Sequence, residues 1–163
     1  MSVRNSSELG ENLILIMKRL MANQNLLKLL YYSDKDPLSH EDLSEEVIKE
    51  EIFEKLIRVT PKLPPQGDAK SRIGLRLVKG ISNEENGEFR EVYFSIEIFV
   101  PMTQWIIKNT NLRPFAIMGE LEKSLKGKRV NGLGTIQGEG FKVGFFSDEM
   151  TCYQVDFLIT TYD

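Results

Sequence analysis

The chain is poor in the residues from which small active sites are usually made. It has one cysteine, Cys152, and one histidine, His40, in 163 residues. A single cysteine excludes an intrachain disulfide and a cysteine-based zinc site. A Cys–His nucleophilic pair would have to use these two residues, which stand far apart in sequence. Cys152 reads as a buried, inert thiol, and His40, between Ser39 and Glu41, as an exposed polar residue. Long apolar runs are missing as well: the most apolar window, 13–17, is far too short to span a bilayer. The start, MSVRNSSELGEN, lacks the basic opening, apolar run and small-residue cleavage site of a signal peptide. The expectation is a cytoplasmic product without membrane contact. Nor is there a basic excess. A net charge of −3 and a pI near 5.4 give no global footprint for nucleic acid.

What is present is an ordinary globular composition, 41% hydrophobic and 28% charged, long enough for one domain and little more. The first residues, 1–10, are polar and read as a flexible N-terminus. Leu9, Leu13, Ile16, Met17 and Leu20 then follow helical spacing. Asn23 is placed to cap a second helix, whose leucines 26, 27, 29 and 30 require burial on two sides. A third helical region is expected over 39–58, capped by Ser44, with Val47, Ile48, Ile52 and Leu56 as its stripe. Three prolines within 61–65 make 61–71 an extended connector inside the domain.

The remainder reads as strands. Residues 72–79 and 91–100 alternate around a polar turn containing Asn86-Gly87, the signature of an antiparallel hairpin. Pro114 opens a helix carrying Ile117, Leu121 and Leu125, and Gly127 closes it. Residues 134–146 and 153–161 alternate again, with a bulge expected at Gly138 and Gly140. The predicted fold is α+β, with the order α-α-α-β-β-α-β-β. It is a mostly antiparallel sheet of about four strands in two β-hairpins, flanked by N-terminal helices, with one helix between the hairpins.

No catalytic constellation emerges, and no cofactor or metal is expected. A phosphate-binding glycine loop must run into a helix N-terminus. Here Gly132-Leu133-Gly134 leads into a strand and Gly138-Glu139-Gly140 lies inside one. Glu120 and Glu122 are not on one helix face. The candidates that remain are surfaces. Lys126, Lys128 and Arg129 cluster in a turn, either as helix-end cations or as a contact for DNA phosphates or an acidic subunit face. Glu46, Glu50 and Glu54 belong to a helix face that is either simply solvated or an acidic docking surface. Trp105 is a packing anchor or an interface residue. Pro64 and Pro65 of the connector, and Asn83 and Asn86 of the hairpin turn, complete the candidate interface.

Several fragments in order carry a resemblance: residues 25–38, Arg113-Pro114-Phe115-Ala116-Ile117, Glu120, Leu121 and Gly132-Leu133-Gly134. From about residue 12 to its end the chain resembles the small neck proteins of long-tailed bacteriophages, the tail terminator (tail completion) and head–tail connector proteins. The resemblance implies a structural virion protein made in the host cytoplasm. It would form a homo-oligomeric, commonly hexameric, ring on the last tail-tube ring, stopping tube growth and joining the head. Implied partners are the tail-tube protein, neck and connector proteins and a sheath where one exists, with at most non-specific DNA contact in the lumen. A head-completion, stopper or adaptor role is the near alternative. A cellular protein-interaction domain without virion role is the alternative of another class.

Overall fold

The computed structural model describes residues 5–59, 70–108, 111–130 and 133–160. The expected connector falls almost wholly outside the described residues, Pro64 and Pro65 included.

Helix α1 spans Ser6–Met21 and is capped by Asn5, whose side chain accepts from the Glu8 N–H. It buries Leu9, Leu13, Ile16, Met17 and Leu20 along one stripe. Helix α2, Gln24–Tyr31, begins at Asn23 through a hydrogen bond from Leu26 N, and all four of its leucines are buried. Each buried leucine contributes about 1.5–3 kcal/mol. So dense a segment needs neighbours on both sides, and α2 packs against α1 and α4.

The third helical region is much shorter than expected. Ser44 caps it, but α3 covers only Glu45–Val47 and widens into a π turn over Ile48–Ile52. Val47, Ile48 and Ile52 are β-branched and hold a helix poorly. Burying Ile52, Leu56 and Ile57 in one place also requires a chain reversal rather than a continuing stripe. The reversal passes through Glu54 at φ +59, a left-handed backbone rarely taken by a non-glycine residue.

The chain then enters β1, Ile57–Arg58. The remaining strands are β2 (Arg72–Ser82), β3 (Phe89–Pro101), β4 (Ile106–Ile107), β5 (Asn111–Leu112), β6 (Arg129–Val130), β7 (Gly134–Phe146) and β8 (Met150–Thr160). Helix α4, Arg113–Leu125, follows β5. This overturns the expected sheet of about four strands in two hairpins. The described residues form a six-stranded mixed sheet, ordered β1-β2-β3-β8-β7-β6, and a separate two-stranded sheet of β4 and β5. The β1–β2 pair is parallel and the others antiparallel. The unanticipated strands, β1, β4, β5 and β6, are two residues long, and period-two alternation is visible only over four or more. The long strands β3 and β8 pair directly, Ile96 with Val155 and Phe94 with Phe157, which fuses what read as two hairpins into one sheet.

The helices cover one face of that sheet. Val92, Phe94, Ile96, Ile98 and Val100 of β3 join Tyr153, Val155, Phe157 and Ile159 of β8 beneath α4, whose Ile117, Leu121 and Leu125 are fully buried. The opposite face is polar. Arg76 pairs with Glu97 at 3.0 Å and donates to Gln154, while Gln154 and Ser95 both donate to Asp156. No helix among the described residues is long and apolar enough to cross a membrane.

Candidate functional site

Two of the fragments that carry the resemblance form internal ties. Arg113 is fully buried and donates four hydrogen bonds of 2.5–2.9 Å, to the carbonyls of Leu29, Tyr32, Asp34 and Gln104. Leu29 and Tyr32 lie at the end of α2, where carbonyls have no helical partner and a cation is favoured. Burial pulls the guanidinium down to about 10, against the opposing pull of Asp34. Glu120 and Ser124 of α4 accept from the Asn23 side chain at 3.1 and 2.8 Å, so the residue that caps α2 also binds α4. The adjoining loop is held by His40, which stacks on Tyr32 and hydrogen-bonds Asp34, keeping that carboxyl below its usual range.

The basic turn opens outward. After α4 the chain turns through Gly127 at φ +75, whose N–H donates to the Ile136 carbonyl of β7. Lys126 leaves the cluster: it pairs with Glu122 at 3.2 Å and its stem lies over Gly138, where a Cβ would meet Lys126 Cε at 2.3 Å. Lys128 and Arg129 are exposed and line an open cleft of about 410 Å³ with Arg19, Ala22, Asn23 and Ser124. Arg19 donates through Nη2 to the Arg129 carbonyl at 2.9 Å, and its buried Nη1 has no hydrogen-bond partner among the described residues. Three cations thus face one cleft, and no ion pair links Lys128 or Arg129 to a carboxylate among the described residues. Such a surface attracts phosphates or carboxylates in a salt-dependent way. Nothing local in the sequence joins Arg19 to a turn more than a hundred residues later.

The other anticipated residues are scattered. Glu46 and Glu50 are exposed on α3 and the π turn, whereas Glu54 sits in the left-handed reversal, its carbonyl accepting from Arg58. Asn83 and Asn86 fold onto their own loop, accepting from the N–H groups of Glu85 and Glu88. Trp105 is half-buried, with its ring 6.2 Å from Tyr153 and 6.3 Å from Phe146.

That Trp105 contact leads to a surface the sequence reading missed. Tyr153 is the hub of an aromatic group with Phe115, Phe141, Phe146 and Trp105, ring centroids 5.2–6.2 Å from its own. Phe141 and Phe146 are nevertheless 54% and 55% exposed. Alternation in 134–146 marked a strand, but it did not show that the helices leave its second half mostly uncovered, Phe115 of α4 touching only Phe141 and Tyr153 there. A register shift between Val143 and Phe145 also turns Phe145 to the polar side of the sheet, beside Phe99.

Comparison with known proteins gives one family. The family model described as YomW matches residues 23–159, most of the chain and all of the sheet but its last residue, Thr160. No curated protein matches the chain.

Proposed function

We propose that this chain, which belongs to the YomW family, whose phage-derived name points to a phage-associated protein, is a structural protein of the neck of a long-tailed phage. In this reading it forms a ring at the head-proximal end of the tail, ends tail-tube growth and offers the surface to which the head joins. Copies of the chain and the tail-tube protein are its first partners. Neck and connector proteins, and a sheath where one exists, follow.

The observation that carries the reading is the placement of exposed chemistry. Phe141, Val143, Phe145 and Phe146 sit on a sheet edge, and Arg19, Lys128 and Arg129 on an open cleft. Apolar surface concentrated on an edge strand marks protein contact. The resemblance to terminators and connectors supports the finer assignment, since a ring is built by one surface of each copy meeting a different surface of the next.

Purified protein mixed with isolated tail tubes and imaged by negative stain tests it. The expected result is a ring capping one end of each tube, and recovery of the chain from purified virions. Tubes that keep bare ends in excess protein, with the chain absent from virions, would overturn it.

A further inference from the structure

Among the described residues the sheet has an open edge on each side. β6 covers β7 only at Gly134 and Thr135, and Ile136 bonds to the turn at Gly127 and Lys128. From 137 to 146 no described strand meets the outer edge of β7, and every residue from 137 to 149 is exposed. On the far side β1 covers β2 only at Ile73 and Gly74, so 75–82 is open among the described residues. An open edge presents unpaired N–H and C=O groups, which proteins normally guard with proline, charge or brevity. Residues 137–146 contain no proline, one acid and one lysine, and carry Phe141, Val143, Phe145 and Phe146. Two of these rings are steadied by Tyr153, which lowers the entropy lost when a partner settles on them.

We propose that β7 of one copy pairs with β2 of the next, so that the sheet runs on from copy to copy with the helices on one side. Strand direction permits this without any flip. β2, β3, β8 and β7 are successively antiparallel, so β7 runs opposite to β2, and copies set side by side meet as an antiparallel pair. The two edges also match in chemistry. Leu77 and Val78 are 37% and 57% exposed on β2, and beside them Lys79 is exposed, whereas Arg72 is buried and Arg76 pairs with Glu97. An antiparallel alignment that sets Phe141 against Leu77 brings Glu139 alongside Lys79. Pairing of β7 with its own copy would leave Leu77 and Val78 in water and use none of this charge match. A contact between unlike edges repeats, closing into a ring where its rotation allows. The inference deepens the neck reading and supplies the subunit contact that reading needs.

Two single substitutions, Arg76→Cys and Lys142→Cys, which this alignment sets opposite each other on one face of the sheet, test the pairing with Cys152 left buried in place. Each protein alone and an equal mixture are oxidised mildly, in concentrated solution and with tail tubes. Cross-linked dimer is expected in the mixture, at a yield several-fold above either protein alone. Adding Phe141→Lys to the Lys142→Cys chain should lower that yield about tenfold while circular dichroism shows the fold retained. Dimer from Lys142→Cys alone at the mixture's yield would overturn the proposal in favour of self-pairing. A protein that stays monomeric under both conditions also overturns it. Rings on tail tubes without the cross-link would overturn the pairing and leave the neck reading standing. Cross-linked chains that never bind tubes would do the reverse.

Discussion

The Arg113 junction and the outer half of β7 show opposite uses of residue character. At the junction a cation is taken fully inside and every one of its bonds goes to a backbone carbonyl. On β7 aromatic rings are held outside, on a strand paired along one edge. The first arrangement is costly unless the guanidinium is satisfied, and each of its three nitrogens has a carbonyl partner. The second costs the monomer apolar exposure that only a partner removes. The lesson is that stability and assembly are divided spatially here: α2, α4 and their loops hold the fold, and the far edge of the sheet is free to meet something else.

Substitutions can break this division. The largest effect is expected from Arg113→Leu, which takes the partner from two buried carbonyls, Leu29 and Gln104, and from two part-buried ones, Tyr32 and Asp34. Unfolding in denaturant should show a loss of more than about 3 kcal/mol, and Arg113→Lys, with a single ammonium, should recover only part of it. Gly144→Ala comes next. A Cβ there would meet Cys152 Sγ at 2.9 Å and the Cys152 carbonyl at 3.2 Å, so a cost of about 1–3 kcal/mol is expected. Cys152→Ala in the same chain should return some of that, because it removes the sulfur but not the carbonyl. Phe141→Ser should cost the isolated chain less than about 1.5 kcal/mol, half of a full phenylalanine burial, yet abolish assembly. Lys128→Glu with Arg129→Glu should move stability by less than about 0.5 kcal/mol while impairing ring formation or head joining. Virions that assemble normally with those two changes would leave the cleft without a role.

Titration gives the smallest effects, and their signs differ. Asp34 is held below the ordinary carboxylate value, chiefly by its hydrogen bond from His40. Its contribution is therefore present above the unfolded value of 3.8 and is lost as pH falls through the depressed one. His40→Ala should raise the pH midpoint of acid unfolding slightly. Burial pushes the Cys152 thiol up to about 12, so the folded chain keeps a proton that the unfolded chain releases near 9. Stability should fall as pH rises between those values, and a thiol reagent at neutral pH should modify Cys152 only as fast as the chain opens.

Individual elements of the fold were legible in the residues, the division between its two regions was not, and the illegible part has physical causes. Caps at Asn23, Ser44 and Gly127 were readable because capping depends on one residue and its neighbours. Alternation in β3 and β8 was readable because both strands have one buried face. Alternation says which way a side chain points, though, and not whether anything lies above it. Ile136 and Phe141 are alike in pattern, and one is buried while the other is half in water. The two-residue strands lacked enough length to show a period. Arg113 stands in a fragment that local sequence singles out, but its carbonyl partners come from 79 to 84 residues earlier in α2 and its loop, and from nine residues earlier at Gln104. The cleft needed Arg19 from α1, and no local pattern links it to Lys128 and Arg129.

Amide hydrogen exchange followed residue by residue, in dilute monomer and in the assembled state, tests the division most directly. The account predicts that amides within 137–146 pointing to the open edge exchange rapidly in the monomer and become protected on assembly, together with those of 75–82, while Leu29 and Leu30 stay protected in both. Strong protection of 137–146 in the monomer, or assembly that leaves both edges as exposed as before, would contradict it.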